Sequence, residues 1–237
     1  PEKNAISENS VIFFTPKIPK TDDYKKQIFS MISELSRELS KDTIFFNCIP
    51  VGYGDNYEMI EIIERSSGLN SETDFVYSYL PMEPRTTTSI SFGINNIDNQ
   101  QLVQTCAKNA NIKFTQTTNI EISELLHLQK ISSFYSPIIA KAESLKKIND
   151  YKNRKLLQNE YQYIDDLTNH LSDIRSYTSS LNSGDPSLYI ISAIFRGVNS
   201  YPRFFIDELK SFMKQNSLKA SKTEIYLCWS IDKSEIR

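Results

Sequence analysis

The sequence predicts an α/β chain: a partial, doubly wound sheet in its first half, a long central helix, and the start of a second α/β domain at its end. Three observations carry this. Short apolar runs alternate with segments of helical periodicity as far as residue 117, the pattern of parallel strands joined by crossover helices. From about 119 to 147, apolar residues recur every three or four positions with no strand between them. Beyond the turn "SSLNSGDP" (179–186), helical segments are again followed by a strand-like run.

"VIFFTPKIP" (11–19) is an apolar run ended by prolines, and so a buried strand. Residues 22–40 carry Ile28, Met31, Ile32, Leu35 and Leu39 at helical spacing, with Thr21 or Asp22 placed to cap the first turn. A second strand spans 43–50, and a helix over about 55–67 ends near Gly68. "DFVYSYLP" (74–81) and "SISFGI" (89–94) are further strands. A helix over about 98–110 sets Leu102, Val103 and Cys106 on one face, and "IKFTQT" (112–117) returns as a strand. This alternation argues a parallel sheet.

The long helix carries Leu125, Leu128, Ile131, Phe134, Ile138, Ala142 and Leu145 on its apolar stripe, with a kink expected at Pro137. Another helix over about 155–177 carries Leu156, Ile164, Leu167, Leu171 and Ile174. The tail holds one helix over about 186–197 and a second after Ser200-Tyr201-Pro202, with the proline near its first turn. The strand "EIYLCWS" (224–230) closes it.

Composition narrows the function classes. With 27 basic and 29 acidic residues the formal net charge is −2, and no basic stripe offers a footprint for a nucleic-acid backbone. No apolar stretch reaches the roughly 20 residues that cross a bilayer, and "PEKNAISENS" has no apolar signal core. Cys48, Cys106 and Cys228 lie far apart inside apolar segments, as buried thiols in a reducing cytoplasm do. With only His127 and His170 and no Cys-x-x-Cys, a metal site has no support.

Glycine is scarce, six in 237 residues, so Gly52-Tyr53-Gly54 between strand and helix invites a test as a phosphate cradle. The dinucleotide fingerprint needs a third glycine where Tyr57 stands, a ring placed where helix and strand should pack closely. It also needs an acid after the next strand, and Glu83 comes later than the fingerprint asks. The pattern is better read as a tight strand–helix turn.

Seven stretches, taken in chain order, carry a resemblance. "TPKIP" (15–19) stands for a strand ending Val-Pro-Thr-Pro, and "NCIPVGY" (47–53) for Ser-Thr-Val-Pro-x-Gly-Thr. "YLPMEP" (79–84) matches a Pro-Glu-Arg after a strand, and "SFGI" (91–94) a Val-Gly-Gly-Ile-like strand end. "SELLH" (123–127) matches Ala-Glu-Leu-x-Lys, with Ala142-Glu143 at a later Asn-Glu. "FRGVNSYP" (195–202) matches Ala-Arg-x-x-Asn-x-x-x-Pro, and "YLCWSIDKSEIR" (226–237) a closing Gly-Leu-Ala-Phe-Lys-x-Asp-x-Asp-Asp-x-Arg. The chain resembles the UDP-glucose/GDP-mannose dehydrogenase family, the nucleotide-sugar dehydrogenases, in a divergent form truncated at both ends.

That resemblance implies a division of the chain. Residues 1–118 correspond to the latter part of a Rossmann-like, NAD-type domain, and 119–178 to a central helical region through which the family forms homodimers. Residues 179–237 correspond to the start of a nucleotide-sugar-binding α/β domain. Family members oxidise a sugar C6 alcohol to a carboxylate, reducing two NAD, in the supply of polysaccharide precursors. A cysteine forms the covalent intermediates, a lysine and an asparagine from the central helix steady the oxyanion, and a threonine, a glutamate and an aspartate manage water.

Carried over by position, the threonine is Cys48, the lysine His127 and the asparagine Ile131. The glutamate falls on Met82, with Glu83 one residue late, and the span 145–165 holds neither glycine nor cysteine for the nucleophile loop. The degenerate catalytic positions are thus Cys48, Glu83 and His127, and the substrate-contact candidates are Arg196, Asn199 and Arg237. NAD is the implied cofactor, although its glycine fingerprint belongs to a part of the family fold this chain does not match. The expectations are a cytoplasmic, homodimeric protein, degenerate in catalysis, with a scaffold or ligand-sensing role and a nucleotide sugar as its ligand. Two alternatives stand beside it: an active oxidoreductase completed by sequence outside this chain, and an unrelated α/β binding module.

Overall fold

The structure is a computed structural model and describes residues 10–16, 24–82, 88–147 and 189–226. Five strands form one sheet in the order β1-β2-β3-β4-β5: β1 Val11–Phe14, β2 Thr43–Asn47, β3 Phe75–Tyr79, β4 Thr88–Ile94 and β5 Lys113–Asn119. Helix α1 (Tyr24–Ser36) joins β1 to β2, α2 (Asp55–Ser67) joins β2 to β3, and α3 (Gln100–Asn109) joins β4 to β5. Helix α4 (Ile120–Lys147) leaves β5 directly, and α5 (Tyr189–Gln215) packs against it.

Strand β2 is buried along its whole length, as a central parallel strand covered on both faces must be, and its sequence TIFFN is correspondingly apolar. Side chains alternate across the pleat. Phe45 and Tyr77 join Ile28, Ile32, Met59 and Ile63 beneath α1 and α2, whereas Ile44, Phe46 and Cys48 join Val103, Ala107 and Ile112 beneath α3. Aromatic rings link the strands on the α3 face: Phe13 stacks on Phe46 at 4.6 Å, Phe46 reaches across β3 to Phe92 at 6.1 Å, and Phe92 meets Phe114 at 5.1 Å.

The parallel expectation is corrected at one pairing. β1–β2, β2–β3 and β4–β5 are parallel, but β3 and β4 run antiparallel, with Ser78 opposite Ile94 and Tyr79 opposite Gly93. Only residues 80–87 link them, and a parallel crossover takes a dozen residues or more. Within α3 the buried face is Val103 and Ala107 with Cys106 beside them, and Leu102 is exposed. Two helices expected on either side of residue 200 are one helix, which runs through Pro202. Proline removes one backbone bond there, and packing of Ile191, Ile194 and Val198 on α4 supports the first half of the helix.

Helix α4 likewise runs through Pro137. Residues 224–226, the opening of the expected last strand, carry no regular structure, and 227–230 lie outside the described residues, as do the expected helix over 155–177 and the turn at 179–186. Among the described residues no helix is long and apolar enough to cross a membrane, and no group of three His, Cys, Asp or Glu is placed to hold a metal ion.

Candidate functional site at the carboxyl edge of the sheet

Parallel α/β sheets take their ligands at the carboxyl ends of their strands. There β2 turns through residues 48–54 into α2, with Gly54 in the left-handed region at φ 82. The N-terminus of α2 receives no cap from Gly54 itself. Its cap comes from α4. The Gly54 N–H donates to Glu124 Oε2 at 2.9 Å, and Asn56 gives Glu124 Oε1 both its backbone N–H at 3.2 Å and its side-chain Nδ2 at 2.6 Å. Glu124 is 0% exposed.

The bonds continue inward as one buried network. Asn56 Oδ1 accepts from the Tyr77 hydroxyl at 2.7 Å and from Asn47 Nδ2 at 2.9 Å, and Asn47 Oδ1 accepts the Ile49 N–H at 3.2 Å. Asn47 is the last residue of β2, and the pleat turns it toward α2. Every buried polar group named here therefore has a partner, as low-dielectric surroundings require. Burial pushes Tyr77 well above the ordinary phenol range.

A second set of contacts closes the turn from outside. Asp55 accepts the Gly52 N–H at 2.8 Å and pairs with Lys25 at 2.8 Å, while Lys25 also reaches Glu58 at 2.8 Å. The Tyr53 hydroxyl donates to Glu121 at 2.6 Å. The anion at this helix N-terminus is thus the chain's own carboxyl group. A dinucleotide pyrophosphate does not fit the turn, because Glu124 already takes the N–H groups that would hold it. Tyr57 is 48% exposed, so its ring does not stand between α2 and the strand as the fingerprint comparison expected.

Cys48, one residue beyond β2, is buried against the α3 face, its thiol directed to the Phe46 carbonyl at 3.8 Å. Burial pushes the thiol up to about 12, so it stays protonated and unreactive at neutral pH. His127 is buried on α4, whose first residue, Ile120, packs in the cluster beneath α1 and α2, on the face opposite Cys48. Ile131, one turn further, packs with Leu128, Tyr135, Ile138, Ile139 and Val198 in the apolar seam between α4 and α5. Arg196 is exposed on α5, and Asn199 belongs to the same helix. Glu83 and Arg237 lie outside the described residues.

No protein-family model matches this chain, and no curated protein does. Solved structures match it at low identity. UDP-D-ManNAc dehydrogenase from Pyrococcus horikoshii aligns with 93% of this chain and 57% of its own, at TM-score 0.68 and 14% identity. UDP-glucose dehydrogenase from Pyrobaculum islandicum aligns with 90% of this chain and 55% of its own, at TM-score 0.61 and 10% identity. NDP-N-acetyl-D-galactosaminuronic acid dehydrogenase from Methanosarcina mazei Go1 aligns with 92% and 54%, at TM-score 0.59 and 13% identity. The fold is that of the nucleotide-sugar dehydrogenases.

This chain spans a little over half the length of those dehydrogenases. Set on the nucleotide-sugar dehydrogenase fold, the residues sequence matching singled out do not converge. Cys48 packs beneath α3, His127 is buried on α4, and Ile131 is sealed in the seam between α4 and α5. The residues that do converge are Asn47, Asn56, Tyr77 and Glu124. A signal for two of them was present: Asn47 is a lone amide ending an apolar strand, and Glu124 is the acid inside the "SELLH" match.

Proposed function

We propose that this chain is a divergent nucleotide-sugar dehydrogenase-like protein that has lost oxidation chemistry and acts as a scaffold or ligand sensor. The observation that carries the reading is Ile131. At the position of the family's oxyanion-steadying asparagine, a 5% exposed isoleucine sits among five apolar neighbours of the α4–α5 seam. An apolar side chain offers no donor to a developing oxyanion, the interaction that such chemistry most depends on. Cys48 supports the same reading: a thiol held at about 12 behind the sheet takes no part in water management.

The proposed ligand is a nucleotide sugar, and the proposed assembly is a homodimer built through the central helix, where Ile122 and Leu125 are exposed. NAD would enter only with sequence outside the described residues. The experiment pairs two assays on the same preparation: NADH formation with UDP- and GDP-sugars, and thermal unfolding with and without those sugars. The expected result is no NADH and a rise in Tm with one sugar class, since a ligand that binds only the folded state stabilises it. No shift with a stable dimer by sedimentation assigns the scaffold role. Steady NADH formation overturns the proposal in favour of an active oxidoreductase.

A further inference from the structure

We draw no further inference here: the strongest candidate, the outer edge of β1, a strand apolar on both faces that pairs only with β2 among the described residues, carries nothing because the structure does not show what covers it.

Discussion

Gly93→Ala tests a close approach of helix backbone to the sheet. A Cβ built there meets Ile120 Cα at 2.8 Å and Ser123 Cβ at 2.9 Å, the start of α4 where it crosses β4. Carbon atoms rest at about 3.5–4.0 Å, so the helix backbone has to retreat by roughly 0.7 Å. Overpacking of that kind costs about 1–3 kcal/mol. The shift also loosens the buried Ser91–Ser123 hydroxyl pair, now 2.7 Å apart, a bond of about 1 kcal/mol. Against this stands a gain of about 0.4–1 kcal/mol from a stiffer unfolded chain. The net expectation is destabilisation by about 2 kcal/mol, read as a lower urea midpoint at constant m-value. A change within about 0.5 kcal/mol of zero would show that α4 does not press on β4 there, and the account of how α4 reaches the turn would fail with it.

The remaining expectations are simpler. Gly68→Ala is expected to cost about 1 kcal/mol through its backbone alone, since φ is +75 and nothing lies within 4 Å of the new methyl, and Gly68→Asn should cost less by the same urea measurement. Gly197→Ala drives a methyl into Ile139 Cγ2, so the loss in stability with Gly197→Ala and Ile139→Ala together should be smaller than the sum of the single losses in a double-mutant cycle. Cys48 should resist alkylation in the folded chain at pH 8 while half-buried Cys106 reacts, as mass spectrometry of the labelled peptides would read. Equal labelling of the two would contradict the burial of Cys48.

What the sequence made legible follows local rules. The end of α2 at Gly68 was visible because a left-handed C-cap calls for glycine. The strand–helix order was visible because apolar periodicity changes from 2 to 3.6. The β3–β4 reversal depends on loop length, which counts only once both strands are placed. Leu102 was misassigned because residues 102, 103 and 106 span more of a helix than its buried face. The joining of two helices through Pro202 reflects packing on a partner helix that periodicity alone does not reveal. The site was the least legible part, because Glu124 matters only through partners in another element.

The span of 70 residues between Gly54 and the side chain that caps it has a consequence for the order of folding. Helix α2 and its neighbouring strands are made first, yet the N–H groups that open α2 have no buried partner until α4 exists. Closing so long a loop costs entropy that only the later contacts return. The expectation is that the buried hydrogen bonds of the first turn of α2 form only once the central helix is in place.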